Sequence, residues 1–265
     1  MSEFLLVDSH CHLNDISYEA DRESVLQRAR AEGVTTFLTI CTKLSDVQEI
    51  FLISQADDSI YCSVGVHPHE AQEAIEKGSL YEELTNLGNH NKVIGLGETG
   101  LDYYYEHSPK EAQKSAFSLH IQAALALDLP LIVHTREAEE DTIALLSAAS
   151  PKVRGVIHCF SGTQALADAA LGLGFYVSIS GIITFKNAEN LREIVKTIPI
   201  DRLLLETDAP YLAPIPYRGK RNEPAFMTET AKTVAMLKGV SIETLAQQTT
   251  ENFYRLFNRA EKKAT

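Results

Sequence analysis

The sequence predicts one α/β domain, residues 1–265, folded as a (β/α)8 TIM barrel. Three observations predict it. Eight short apolar runs rich in β-branched residues alternate with longer segments of helical spacing. The runs are apolar on both faces, as parallel strands covered by helices are, whereas strands with one wet face alternate with polar residues. The length, 265 residues, suits eight strand–helix units, and no Gly/Ser-rich or low-complexity stretch divides the chain.

The elements follow in order. Strands are expected at residues 4–8, 35–40, 60–66, 93–96, 129–133, 155–157, 175–179 and 203–205. Helices are expected between them at 19–32, 45–56, 110–127, 137–149, 164–173 and 188–197. Gly33 ends the first helix, Gly172 and Gly174 bracket the approach to the seventh strand, and Pro130 lies at the start of the fifth, where a missing ladder donor is tolerated. Residues 242–257 read as a last helix whose Leu245, Phe253, Leu256 and Phe257 close the barrel's outer ring.

At 45% hydrophobic the chain can bury a large core. Its formal net charge of −12 argues against broad, sequence-independent attraction to nucleic acid, which needs a basic surface. A substrate gripped locally by a few cations and bound metal remains compatible with that charge. Cys11, Cys41, Cys62 and Cys159 are far apart and form no CxxC pair, so they read as reduced thiols. Residues 1–7 lack a basic segment, and their apolar run is too short for a signal sequence or a membrane span. A cytoplasmic location is expected, with no membrane association and no stable protein partner inferable.

Chemistry gathers in five stretches, each where an apolar run gives way to residues able to hold a metal: His10-Cys11-His12, Gly97-Glu98-Thr99-Gly100, His134-Thr135-Arg136, His158-Cys159-Phe160 and Glu206-Thr207-Asp208. His10 and His12 are two apart, so on a strand both point into the barrel mouth while Cys11 turns toward the helices. That pair alone fits either a metal or two hydrogen-bonded histidines. Glu98, His134, His158 and Asp208 end the fourth, fifth, sixth and eighth strands, on the side where barrel enzymes keep their active sites. Six such groups without partners would be costly to bury together, and cations offset that cost. Four imidazoles and two carboxylates without a thiolate suit zinc, manganese, iron or magnesium. Six ligands exceed what one tetrahedral ion uses, so two divalent ions sharing Glu98 as a bridge is the economical arrangement.

The stretches Val7-Asp8-Ser9-His10-Cys11-His12-Leu13, Gly65-Val66-His67-Pro68, Gly95-Leu96-Gly97-Glu98-Thr99-Gly100-Leu101-Asp102-Tyr103-Tyr104, His158-Cys159-Phe160-Ser161-Gly162 and Glu206-Thr207-Asp208-Ala209-Pro210-Tyr211-Leu212 resemble the signatures of the TatD family of metal-dependent deoxyribonucleases, in the amidohydrolase superfamily. The resemblance runs in order from residue 4 to about residue 257, with no departure at a ligand position. It implies a barrel of the metal-dependent hydrolase type. His10, His12, Glu98 and Asp208 would hold one ion, and Glu98, His134 and His158 the other, the metal being Mg, Mn or Zn. It also implies hydrolysis of phosphodiester bonds in a DNA substrate, from 3′ ends and on single strands. The alternative is another ester or amide, such as aminoacyl-tRNA. Water activated at the centre would attack phosphorus, with Asp208 as proton acceptor and Glu98 as shared ligand, the two residues expected to be catalytic.

Other residues carry paired expectations. His67 ends the third strand beside the ligands, where it contacts a substrate phosphate or caps the strand. His69, His90, His107 and His120 are expected on loops or helix surfaces. Arg136 either binds phosphate bidentately or pairs with Glu206, an inward carboxylate in need of a cation. Residues 217–224 place Arg218, Lys220 and Arg221 in a loop expected over the mouth, where they bind phosphate or stay solvated. Tyr103, Tyr104 and Tyr105 stack on bases or pack under their loop. Two other function classes are weighed against these readings. A hydrolase of small C–N bonds would commonly carry a carboxylated Lys as bridge, where this chain has Glu98. A non-catalytic metal scaffold is disfavoured by the His67 and basic-loop groups crowding the same mouth.

Overall fold

The computed structural model describes residues 4–149 and 151–262. The expectation for residues 1–7 therefore falls partly on residues 1–3, outside the described residues. Eight strands form one sheet in sequence order: β1 (Leu6–Cys11), β2 (Val34–Thr39), β3 (Ile60–Val64), β4 (Val93–Asp102), β5 (Leu131–Arg136), β6 (Gly155–Ile157), β7 (Tyr176–Ile179) and β8 (Leu203–Leu205). Every neighbouring pair is parallel. The barrel closes just past the ends of β1 and β8, where Cys11 bridges Ala209, Asp208 N donates to His10 O at 2.9 Å and His12 N donates to Ala209 O at 2.8 Å. The seam therefore runs through the residues singled out for metal binding.

The surrounding helices are α1 (Arg22–Ala31), α2 (Val47–Ala56), α3 (Ala71–Lys77), α4 (Leu80–Leu87), α5 (Lys110–Leu127), α6 (Glu139–Ala149), α7 (Gln164–Gly172), α8 (Glu189–Thr197), α9 (Met227–Lys238) and α10 (Ile242–Leu256). The sequence pattern misses α3, α4 and α9. The first two are each about two turns long and are separated by Gly78 at φ 72°, a left-handed cap that glycine adopts without Cβ strain. The third buries Thr228, Thr230, Ala231 and Ala235 among its inward residues, so its apolar stripe is faint. Among the described residues no helix is long and apolar enough to cross a membrane.

Two apolar clusters hold the fold. One lies between strands and helices. The other fills the barrel with Val7, Leu38, Ile40, Tyr61, Ile94, Ile132, Val156, Tyr176 and Leu204, and it includes Phe253, Leu256 and Phe257 from the end of the chain. The last helix was expected to complete the outer ring. Of the four residues expected there only Leu245 joins the outer cluster, while the C-terminal end of α10 plugs the barrel interior.

Period-two alternation from this inner layer explains the mouth. Ile132 is interior, so His134 and Arg136 rise on the same side of β5; Val156 likewise sets His158, and Leu204 sets Glu206 and Asp208. On β1 the count needs a correction. Val7 is interior and His10, three residues on, also faces the mouth, because three steps on β1 from Asp8 to Cys11 match two on β2. This bulge resets the alternation. A second bulge lies between Leu96 and Thr99, at Glu98, and β4 runs on to Asp102 instead of ending at residue 96. Gly97 and Gly100, at φ 142° and 134°, supply backbone that L side chains rarely adopt.

Candidate active site

Glu98 is the centre of the constellation. It is 3% exposed, and its two carboxylate oxygens face different groups. Oε1 lies 2.9 Å from His158 Nε2, 3.1 Å from His134 Nδ1 and 3.4 Å from His67 Nε2. Oε2 lies 3.4 Å from His10 Nε2. Asp208 Oδ1 in turn stands 3.5 Å from His10 Nε2 and 3.2 Å from His12 Nε2. Three sets of side chains each bring their ligand atoms within 4.8 Å of one another: His10, His12 and Asp208; His67, Glu98 and His134; His10, His158 and Glu206.

Each of these groups is held by its chain neighbourhood. Asp208 adopts the left-handed region at φ 55°, which a short polar side chain tolerates. The residue before it is clamped, since Thr207 donates to buried Asp8 through its backbone N at 3.0 Å and through its hydroxyl at 2.5 Å. Burial pushes the Asp8 carboxyl up to about 7 despite those bonds.

Burial alone would raise the Glu98 pKa, but the imidazoles of His158, His67, His10 and His134 around it hold it well below the carboxylate range. Asp208 is lowered in the same way, burial being outweighed by the His12 bond and the charges of His10 and His12. Burial and the neighbouring His158 push His10 down. His158 is raised well above its ordinary value, because Glu98 and Glu206 outweigh its own desolvation. Both ligand-set carboxylates are therefore anionic in a pocket of imidazoles.

A cation fits this donor set. His10 Nδ1 and Nε2, His134 Nε2, His158 Nδ1 and Glu206 Oε2 are buried without hydrogen-bond partners. Orphaned lone pairs at such density are costly in a dry site, and metal coordination satisfies them without added donors. His10, His12, Glu98, His134, His158 and Asp208 are all brought to one place, with His67 and Glu206 against them.

The mouth above is a cavity of about 840 Å³ whose lining includes Lys43, His69, Tyr105, Arg136, Tyr211 and Leu212. Arg136 faces this space. Its guanidinium lies 4.0 Å from the Tyr104 ring centre and 4.7 Å from that of Tyr105. Its expected alternative, an ion pair with Glu206, does not form. Glu206 instead accepts from Cys159 N at 2.8 Å and stands 3.4 Å from His158 Nδ1, so the imidazole next to it supplies the cation. Tyr104 and Tyr105 are about half exposed, whereas Tyr103 packs against the core and donates to Asp141 at 2.6 Å.

The basic loop is not among the residues lining the cavity. Arg218 lies 4.0 Å over the Phe185 ring and donates to Ala213 O, Arg221 pairs with Asp21, and the Lys220 ammonium is 5.8 Å from the Tyr217 ring centre. Neighbouring aromatic and acidic groups draw these cations aside.

Two histidines expected at the surface are elsewhere. His120 is fully buried on α5, accepting from Val66 N at 3.0 Å and bonded through Nδ1 to Ala116 O at 2.7 Å. His69 lines the mouth and bonds Asp102 Oδ2 at 2.9 Å. Asp102, 1% exposed, was overlooked although it lies four residues past Glu98, on the same face of an extended strand. His90, stacked on Phe51 at 4.0 Å, and His107, edge-on to His69 at 4.5 Å, keep to loops.

An eight-stranded parallel barrel with clustered imidazoles and carboxylates at the C-terminal ends of its strands defines a metal-dependent hydrolase. The comparisons with known proteins are specific. The family model described as TatD related DNase matches residues 7–258, and the chain belongs to this family. The uncharacterized metal-dependent hydrolase YcfH of Escherichia coli is 46% identical over 259 residues, covering 96% of each chain. The protein named 3′-5′ ssDNA/RNA exonuclease TatD of Erwinia tasmaniensis is 37% identical, covering 96% of this chain and 100% of its own. Among solved structures, the TatD homolog YJJV of Escherichia coli superposes with a TM-score of 0.87 at 28% identity, covering 96% of this chain and 98% of its own.

Proposed function

We propose that this protein hydrolyses phosphodiester bonds in DNA, removing nucleotides from the 3′ end of single strands at a centre of two divalent ions, magnesium, manganese or zinc. The observation that carries the proposal is the division of Glu98: Oε1 addresses His134 and His158, and Oε2 addresses His10. In this reading His10, His12 and Asp208 would hold one ion, His134 and His158 the other, and Glu98 both. When bound, such a pair activates water and neutralises charge on the phosphate oxygens.

The chain's own groups do the rest. Asp208 accepts the proton of the attacking water at a carboxylate oxygen, and the nearby imidazoles of His10 and His12 keep that carboxylate anionic beforehand. His67 offers a hydrogen bond to a phosphate oxygen next to Glu98. Arg136 meets the phosphate with its planar fork, its position limited by the two tyrosine rings. Tyr104 and Tyr105 provide ring surface for an unpaired base. Arg218 and Lys220, outside the cavity, meet only the strand leading away from it. The acidic chain thus grips its substrate locally, as one domain in the cytoplasm.

The test is a substrate panel. Metal is stripped, magnesium, manganese or zinc is restored separately, and labelled single-stranded DNA, duplex DNA, RNA and aminoacyl-tRNA are assayed in parallel. A ladder shortening from the 3′ end of single-stranded DNA is expected. Activity confined to the aminoacyl ester would overturn the proposal.

A further inference from the structure

We propose that Tyr211, with Ile16 beside it, seats one nucleobase: the base on the 5′ side of the scissile phosphate stacks there, across the mouth from Tyr104 and Tyr105. The inference rests on the phosphodiester reading above and adds a substrate contact to it.

Strand order sets two walls against each other. The sheet runs from β1 to β8 and closes between those two strands. The loops after β8 and β1 therefore lie half a turn round the barrel from the loops after β4 and β5. The latter carry Tyr104, Tyr105 and Arg136. The former carry Asp15, Ile16, Tyr211 and Leu212, all lining the mouth cavity. Glu98 and the histidines around it occupy the floor between the walls. A phosphate held at that centre has a nucleotide on each side, so two successive bases meet two walls.

The Tyr211 wall is exposed and firmly held. Tyr211 is 53% exposed and Ile16 79% exposed, apolar surface that the core does not use. Tyr211 N donates to Asp208 O at 2.9 Å, and Tyr211 O accepts from Nδ2 of the fully buried Asn222 at 2.6 Å. The phenol donates to Asp15 Oδ2 at 3.3 Å, which ties the ring to the loop bearing Ile16. The ring also stands edge-to-face with His12, centroids 5.7 Å apart. A ring fixed in this way loses little freedom when a base settles on it.

Charge separates the base from the phosphate. Among the described residues lining the cavity, the Lys and Arg side chains are Lys43 and Arg136, neither of them on this wall. A phosphate here would meet the Asp15 carboxylate, whereas an uncharged base meets aromatic and aliphatic carbon. The basic loop gives the direction. Arg218 donates at 3.3 Å to Ala213 O, two residues past Tyr211, so the cations that meet the departing strand lie on the Tyr211 side. The penultimate base therefore falls to Tyr211, and the 3′-terminal base to Tyr104 and Tyr105.

The test reads removal of the first nucleotide from 5′-labelled single-stranded DNA, with whichever of magnesium, manganese or zinc supports turnover. Three strands are compared: one with every base, one abasic at the penultimate nucleotide and one abasic at the 3′-terminal nucleotide. On the complete strand Tyr211→Ala is expected to raise KM roughly 10–100-fold with little change in kcat, the scale of one lost stacked base. Tyr211→Phe, which keeps the ring, should recover most of that loss. On the strand abasic at the penultimate nucleotide, wild type and Tyr211→Ala should agree within about threefold in KM, because no base is left to stack. On the strand abasic at the 3′ end the full penalty should remain. A penalty that persists on the penultimate abasic strand would overturn the proposal, since it would mark a structural role. So would a penalty abolished by the terminal abasic site instead. The unaltered chain tests the same point without a variant: equal KM for the complete strand and the penultimate abasic strand would overturn the proposal. A wild-type chain that cleaves none of the strands with any of the three ions would overturn the phosphodiester reading itself, and this inference with it.

Discussion

The imidazoles of His10 and His158 lie ring on ring, centroids 3.9 Å apart and planes 7° apart, yet their Nε2 atoms address opposite oxygens of Glu98. Two cationic rings would repel at that separation; burial and then the neighbouring His158 lower His10, while Glu98 and Glu206 raise His158 against its own desolvation. The stack holds the two rings in parallel, and Glu98 turns one carboxylate oxygen to each of them.

Glu98→Gln keeps the size of the bridge but removes its charge and one acceptor oxygen. Turnover on single-stranded DNA is expected to fall by about 10³-fold or more, the scale of losing electrostatic stabilisation at a reacting phosphate. Elemental analysis should show fewer metal ions per chain than in the wild type. Full metal content with full turnover would contradict the bridging role.

In the proposed reading Asp208→Asn removes the base and weakens a ligand on the His10 side only. No measurable turnover is expected, with metal still bound at the His134 and His158 side. Near-normal rates in this variant would show that another group takes the proton.

Gly100→Ala places a Cβ 2.0 Å from the carbonyl oxygen of His134, at φ 134°. Strand β5 would have to move away from β4. The expected cost is at least about 3 kcal/mol, combining backbone strain with the displaced strand. Thermal unfolding of the metal-free chain reads it. A wild-type melting temperature would refute the packing described for β4 and β5.

His120 gives a pH signature remote from the metal groups. Burial pushes its pKa from 6.5 to about 4, so the folded protein keeps it neutral to accept from Val66 N. A histidine with a lowered folded pKa stabilises the fold above its unfolded pKa, and that stability is lost as pH falls from about 6.5 to about 4. The full loss is on the order of 3 kcal/mol. His120→Gln, which still offers an oxygen to Val66 N, should show a shallower fall in melting temperature between pH 7 and pH 5. An unchanged slope would contradict the assignment.

Arg136→Ala and the paired change Tyr104→Ala with Tyr105→Ala should raise KM for single-stranded DNA more than they lower kcat. Roughly 1–3 kcal/mol is expected for loss of a stacked base, or about 10–100-fold in KM. Lys220→Ala, outside the cavity, should change KM less than threefold at moderate salt. Unchanged oligonucleotide affinity in the tyrosine pair would remove stacking from the account.

Much of the site is legible in the sequence because period-two alternation carries an interior apolar residue to a polar one two or four positions later: Ile132 to His134, Val156 to His158, Leu204 to Asp208. What alternation hides is the bulge. His10 is out of phase with Val7, and the extra residues near Glu98 obscure β4, where Gly95, Gly97 and Gly100 also dilute the strand signal. Asp102 was missed for that reason alone, since its spacing from Glu98 fits an inward face once the strand is extended. His120 was readable from its helical spacing to Ala116 and Phe117, both buried. The direction of the basic loop was not readable, because the charges of Arg218, Lys220 and Arg221 say nothing about Phe185, Tyr217 or Asp21 waiting beside them.

The most direct measurement is anomalous diffraction from crystals of the manganese-loaded protein. Two peaks are predicted about 3.5–4 Å apart, as in two-metal centres, one beside His10, His12 and Asp208, the other beside His134 and His158, with the Glu98 carboxylate between them. A single peak, or two peaks that do not share Glu98, would contradict the account.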